Sequence, residues 1–296
     1  MHINIGIFGS QELAKKLGKK GTTNDIAIYN HSSSEGVFTY ICPNSDKIQP
    51  LLQALNMIDL PVLVVNELTK EVGEIIIGIN EMNFERGFII TKESLEPLIK
   101  GTSLEKFKVI DENSLWPEIL KLDIHRNDDS VLIPIDNYFN VKGVGTVILG
   151  IVKSGSISLH EELMIEPLGK KVMVKGIQSH DKDIEEADAG TRVGLNLKGV
   201  EADELKRGFV ICKEIEKSSD LKIKFNKNRF FKQEIKPGMQ VLLSIGLQVV
   251  SSIIEPMDNE LLVKSNQKIA YKKNQLCIIA SQNDILPRIM GSGTIL

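Results

Sequence analysis

Phosphate chemistry is the first that the chain suggests. A loop that cradles the β- and γ-phosphates of a nucleotide needs backbone amides, a lysine, and a Ser/Thr for magnesium. The pattern is G-x-x-x-x-G-K-[ST] between a strand and a helix. The alternating run Ile3 to Ile7 supplies the strand, and Gly6-Ile7-Phe8-Gly9-Ser10-Gln11-Glu12-Leu13 follows. Glu12 and Leu13 stand about where Lys and Thr belong, and a carboxylate there repels phosphate. Gly18-Lys19-Lys20 and Gly21-Thr22-Thr23 have suitable residue types at the wrong offset. Gly9-Ser10, at an expected helix start, could still hold an anion through backbone N–H groups. Cys42, Cys212 and Cys277 are far apart and form no C-x-x-C pair, so they read as small buried hydrophobes. The acidic stretch Asp181 to Asp188 lacks the glycine and bidentate glutamate of a calcium loop and reads as a solvated turn. No catalytic set, metal site or cofactor is expected.

The chain of 296 residues is long enough for two or three domains. No apolar run reaches the ~18 residues of a membrane span. The start, Met1-His2-Ile3-Asn4-Ile5, enters a strand pattern without a signal peptide's charged head and apolar stretch. A cytosolic protein with no membrane partner is the expectation. Net charge is −3, and it is unevenly spread. Residues 1–130 carry 13 Lys/Arg against 19 Asp/Glu, and residues 131–216 carry 11 against 14. Residues 217–296 carry 12 against 6, so the last third is basic. Such asymmetry marks either a nucleic-acid-facing end or a solvated surface.

These residues must be positioned by two kinds of architecture. Strands are predicted at Ile3–Ile7, Asp25–Tyr29, Val37–Cys42, Leu60–Val65, Ile75–Ile79, Phe88–Ile90 and Phe107–Ile110. Helices are predicted at Gln11–Leu17, from Asp46 through Leu55, around Leu95–Ile99, and at Leu115–Leu122. Leu60 to Val65 is continuously apolar, as in a strand buried on both faces. The alternation implies a mainly parallel α/β sheet. His125 to Ser130 is polar and reads as a linker. Beyond it come short strands and glycine turns, the pattern of an all-β barrel or sandwich. The strands are predicted at Val131–Ile135, Gly145–Lys153, Glu162–Ile165, Val172–Gln178, Thr191–Leu197 and Phe209–Cys212. A second set follows at Leu221–Phe225, Gln240–Leu243, Gln248–Glu255, Leu261–Val263, Gln275–Ala280 and Arg288–Ile295. A break is expected near Lys217-Ser218-Ser219.

The run Ile135-Asp136-Asn137-Tyr138-Phe139-Asn140-Val141-Lys142-Gly143-Val144-Gly145-Thr146-Val147 resembles the opening of the second domain of elongation factor Tu and its relatives. Gly150 to Gly155, Ile177 to Asp183, Ala189 to Val200 and Lys206-Arg207-Gly208 continue the match in order. Leu286 to Gly293 resembles the last strand of the family's third domain. The flavour is nearest the selenocysteine-specific factor and the archaeal forms. The resemblance implies a degenerate GTPase-like α/β domain over residues 1–127. Two elongation-factor-Tu-type β-barrels would follow, over 131–216 and 217–296.

Against that family, the first third lacks its nucleotide motifs. The magnesium-binding D-x-x-G is absent, as are the Pro-Gly and His that follow it. Where the guanine-reading N-K-x-D belongs, the chain has Asn66-Glu67-Leu68-Thr69. Gly9, Ser10 and Asn66 are thus relic nucleotide positions, and GTP hydrolysis is not expected.

In the aminoacyl-tRNA-carrying factors, the second domain grips the tRNA acceptor end. The matching positions here are Asp136, Phe139, His180 and Arg192. A carboxylate accepts from hydroxyls or ammonium, Phe offers an apolar face, and His and Arg donate. Structural readings stand beside these. Asp136 could cap a turn, Phe139 could be core, and His180 with Arg192 could be a surface pair beside Asp181 and Asp183. Lys222, Lys224, Lys227 and Arg229, interleaved with Phe225, Phe230 and Phe231, could meet an RNA backbone or form a solvated lysine-protected edge. The expectation is a translation-factor-like binding protein that contacts tRNA, the ribosome or another translation factor, without GTP hydrolysis. DNA is not an expected partner. The alternatives are a factor with an atypical GTP site and a protein-interaction scaffold.

Overall fold

A computed structural model describes residues 1–126, 130–257, 260–283 and 285–296. The first third folds as β1 (His2–Phe8), α1 (Gln11–Leu17), β2 (Lys19–Thr23), β3 (Ile26–Ser32), β4 (Val37–Pro43), α2 (Ile48–Met57), β5 (Leu60–Val65), α3 (Lys70–Glu81), β6 (Phe88–Thr91), α4 (Glu96–Ile99), β7 (Lys108–Val109) and α5 (Leu115–Ile119). The strands form one sheet in the order β2-β3-β4-β1-β5-β6-β7. Neighbours from β4 to β7 run parallel, while β2–β3 and β3–β4 are antiparallel. The apolar run in β5 is buried on both faces. Leu60, Val62 and Val64 join the core under α1 and α5, and Leu63 and Val65 join the core under α2 and α3.

The predicted strand Ile75–Ile79 is instead the middle of α3. Three consecutive isoleucines suit either element when periodicity alone is read. The helix is favoured by its ends and its neighbours. Thr69 Oγ1 accepts the Val72 N–H at 3.3 Å and caps the first turn. Ile76, Ile77 and Ile79 are buried, and this burial outweighs the weak helix preference of β-branched residues. The helix predicted over Leu115–Leu122 ends at Ile119. The edge strand β2 was not expected.

The middle third contains β8 (Leu132–Val141), β9 (Gly145–Ile151), β10 (Ser156–Ser158), β11 (Glu162–Glu166), β12 (Lys170–Ser179), β13 (Lys182–Ile184), β14 (Glu186–Asp188), β15 (Arg192–Lys198) and β16 (Val210–Cys212). Because β11 pairs with both β16 and β12, the order β11-β16-β8-β9-β15-β12 closes into a six-stranded barrel. The acidic stretch expected as a solvated turn holds β13 and β14, with the turn itself at His180 and Asp181 (φ 51° and 62°). Among the described residues, no group of three or more His, Cys, Asp or Glu could hold a metal ion.

The last third is a second closed barrel, β17-β20-β19-β18-β21-β22, made of β17 (Glu216–Lys227), β18 (Met239–Ile245), β19 (Gln248–Met257), β20 (Glu260–Tyr271), β21 (Leu276–Ser281) and β22 (Ile289–Ile295). Lys217 and Ser218, read as a break, pair with Ala270 and Ile269 inside β17. The irregular connection lies just before them, at 213–215. Of the expected linker, Asn127 to Asp129 lie outside the described residues. Arg126 is anchored rather than free, donating to His2 O at 2.8 Å and Asp59 Oδ2 at 2.6 Å. Gly190 (φ +95°) sits beneath it, where a Cβ would stand 2.4 Å from the guanidinium carbon.

The three units share packing. Leu247, Ile278 and Ile289 of the second barrel belong to the same core as α2 and α3. Arg207 of the first barrel donates to Asp25 at 2.7 Å, and Gln53 donates to Leu247 O at 2.9 Å. No helix among the described residues is long and apolar enough to cross a membrane.

Candidate functional site

Open α/β sheets bind ligands outside the carboxyl ends of their strands. At that end, β1 and β4 border a cavity of about 410 Å3 whose walls include Gly9, Asp46, Lys47, Glu71, Glu74 and Arg288. Gly9 has φ +89°, and a Cβ on it would stand 2.1 Å from Val64 O, so the turn lies hard against β5. Ser10 Oγ accepts the Leu13 N–H at 3.3 Å and caps α1. Glu12 turns to Lys15 at 2.5 Å. Asn66 is exposed beyond β5. Arg288 closes the cavity from the second barrel. Glu74, buried on α3, accepts from the Arg288 backbone N–H at 2.6 Å, from Nε at 3.0 Å and from Nη2 at 2.5 Å. Arg288 Nη1 also donates to Asp46 O at 2.9 Å. Arg288 is therefore already neutralised, and Lys47 is the other cation on the wall.

A larger cleft, about 720 Å3, opens where the β2–β3 hairpin meets the first barrel. Lys19, Lys20, Asn30 and His31 come from the hairpin, and Gln178, His180, Asp181 and Arg192 from the barrel. Neither Lys19 nor Lys20 has a carboxylate partner among the described residues. The Nε2 atom of His180 is buried without a hydrogen-bond partner. Burial, and then the charge of Arg192, hold the His180 pKa below the ordinary imidazole value, so the ring is neutral at pH 7.

The expected site residues divide. His180 and Arg192 share the cleft wall. Asp136 is buried behind Arg192, which grips it with both terminal nitrogens; Nη2–Oδ1 is 3.1 Å. The two side chains are only 9% and 7% exposed. Asp136 O also accepts from Arg207 Nε at 2.9 Å. Asp136 therefore does not cap a turn, and Arg192 is not half of a surface pair with His180. A buried carboxylate needs a cation, and Arg192 is placed to supply one. Phe139 is 41% exposed on β8, outside the cleft lining, and is not core. The hairpin's Lys19, Lys20, Asn30 and His31 were not expected here. The lysines look in the sequence like a failed phosphate loop, and nothing local predicts that their hairpin lies against a barrel.

In the second barrel, Lys222 and Lys224 are exposed and alternate with buried Leu221 and Ile223. Lys227 Nζ donates to Gln233 O at 2.7 Å. Arg229 donates to Lys100 O and lies 4.7 Å above the Phe230 ring. Phe231 is core. The aromatics interleaved with these lysines are therefore packed or covered.

A family model described as elongation factor Tu domain 2 matches residues 145–212. An uncharacterized protein of Methanocaldococcus jannaschii is 37% identical over 305 residues, covering 98% of this chain and 98% of that protein. The selenocysteine-specific elongation factor of the same organism is 28% identical over 330 residues, covering 92% of this chain and 70% of that factor. Among solved structures, translation elongation factor SelB from Methanococcus maripaludis in complex with the GTP analogue GPPNHP matches with a TM-score of 0.82 at 22% identity. That match covers 99% of this chain and 78% of the other, and at such identity it shows a shared fold.

Proposed function

The chain belongs to the family of elongation factor Tu and the selenocysteine-specific elongation factor, and from that premise we propose that it is a cytoplasmic binding protein of the translation machinery that holds an RNA end in the hairpin–barrel cleft without hydrolysing GTP. The observation that carries this reading is the cleft itself. It brings two lysines without carboxylate partners into one cleft with the neutral ring of His180, whose Nε2 is itself buried. Lysines meet phosphate, and a neutral imidazole can hydrogen-bond a ribose hydroxyl or a base edge. Arg192 contributes by positioning, because its charge is matched by Asp136.

The non-hydrolysing part of the reading rests on the strand-end cavity. A nucleotide there would face Asp46 and Glu71, and the Arg288 guanidinium is already bound to Glu74. The sequence Glu12-Leu13 offers neither the phosphate lysine nor the magnesium hydroxyl.

Two measurements test the proposal. In a tRNA gel shift with salt titration, Lys19→Ala/Lys20→Ala should weaken binding and flatten the salt slope by about 2, one unit per phosphate contact. His180→Ala should weaken binding without changing that slope. An unchanged affinity in both variants refutes the cleft. Calorimetry with GTP, GDP and ATP plus magnesium should detect no binding; a dissociation constant in the micromolar range overturns the reading of the first domain as degenerate.

A further inference from the structure

On the side of α3 away from the strand-end cavity, an apolar groove of about 320 Å3 separates the α/β unit from the second barrel. Ile76 and Ile77 of α3, Leu98 of α4, and Phe230, Leu286 and Pro287 of the barrel line it. Leu98 is 36% exposed, and Ile285, next to Leu286, is 66% exposed. Gly73 stands at the groove with nothing within 4 Å of an added Cβ, so this stretch of helix is open to the outside. The groove is lined mainly by apolar side chains, as peptide-binding grooves are.

The charge around the groove has one sign in excess. Lys70 lies on its wall, and Lys100 and Arg229 lie beside Leu98 and Phe230. Arg229 donates to the Lys100 backbone O, which fixes its guanidinium beside the end of α4. Lys232 joins them through Arg229 O at 2.8 Å. None of the four ion-pairs with a carboxylate among the described residues. Glu74, also on the wall, is neutralised by Arg288. Two carboxylates stand nearby, Glu96, exposed on α4, and Glu81 at the end of α3, which accepts from Asn228 at 2.8 Å, against the four cations.

We propose that this groove is a docking site for an amphipathic helix of a partner protein, with leucine-like residues on its buried face and acidic residues along its flanks. A helix laid in a groove presents apolar anchors at i, i+3 or i+4, and i+7. Ile76, Ile77, Leu98 and Leu286 form a floor suited to such anchors, and Lys70, Lys100, Arg229 and Lys232 match acidic flanks. RNA fits less well. Its single strands need open aromatic faces, and the Phe230 ring is covered by the Arg229 guanidinium at 4.7 Å. The inference is independent of the RNA-end cleft, which lies at the first barrel.

The test is fluorescence anisotropy on the full chain with two labelled peptides of about four helical turns, sharing one leucine spacing and differing in flanks of Glu or of Lys. The Glu-flanked peptide should bind, and its affinity should fall several-fold as salt is raised. Gly73→Phe fills open space on the groove and should weaken it about tenfold with Tm unchanged. Lys100→Glu/Arg229→Glu should do the same through charge. Absence of binding up to about 1 mM, equal binding of the Lys-flanked peptide, or indifference to both variants overturns the proposal. A poly(U) oligonucleotide that competes and is itself displaced by Gly73→Phe assigns the groove to RNA and also overturns it. Self-association abolished by Gly73→Phe in sedimentation assigns it to a second copy, with the same consequence.

Discussion

Replacing Arg288 with methionine keeps a long side chain and removes the guanidinium that joins the second barrel to α3. Glu74, 2% exposed, would keep only the backbone N–H of residue 288, now at 2.6 Å, as a donor. Breaking one side of a buried ion pair costs about 3–5 kcal/mol, because a charge is left without its partner. Unfolding entropy is about 2.1 cal/mol/K per residue. For a chain of 296 residues melting in one transition, the loss lowers Tm by about 5–8 °C. Glu74→Leu/Arg288→Met removes both charges and should cost less than either single change, since neither leaves a buried ion behind. Scanning calorimetry and urea unfolding of the four proteins give the cycle. Additive losses, or an Arg288→Met shift below about 1 °C, would refute the claim that this pair is buried and closes the strand-end cavity. The point bears on function. A protein that switches by moving rigid units needs a movable joint between them, and a buried pair with a shared core stiffens this one.

Gly9→Ala should destabilise the chain by more than about 1 kcal/mol, because φ +89° and the 2.1 Å approach to Val64 O both exclude a Cβ; an unchanged urea midpoint contradicts the turn geometry. Burial pushes the Cys42, Cys212 and Cys277 thiols up to about 12, 11 and 12, so a thiol reagent at pH 8 should label none in the native protein and three in urea. His2 and His180 have folded pKa values below the ordinary 6.5, both chiefly through burial. The unfolded imidazoles take up protons first, so stability is complete above about pH 6.5 and declines as pH falls below it. Tm measured from pH 8 to 5 should show that decline, and His2→Asn/His180→Asn should reduce it; parallel profiles would rule out these two rings as the cause.

Local chemistry made much of the fold readable. Ile135 to Val147 and Ala189 to Val200 specify strands and tight turns through alternating side chains and glycines, and a barrel is the way such strands bury one face. Leu60 to Val65 announces a doubly buried strand because no polar residue interrupts it. Ser10 followed by Gln11 to Leu17 announces a capped helix. The missing phosphate lysine is equally local, since that motif is contiguous.

The rest depended on residues far apart in the chain. Ile75 to Ile79 could serve a strand or a helix, and packing of α3 on Leu55 and on Ile289, more than two hundred residues away, accompanies the helix. Asp136 and Arg192 look in sequence like ligands of a pocket. In the fold they neutralise each other, because a buried carboxylate takes the nearest available cation. Lys19 and Lys20 look like a broken phosphate loop until the edge strand β2 sets them across a cleft from His180. Sequence determined which strands and turns could form and that Glu12 and Leu13 stand about where a phosphate loop would carry Lys and Thr, because those depend on adjacent residues. Only tertiary structure decided which charges stay free to meet a ligand, because a charge's availability is set by what folding brings beside it.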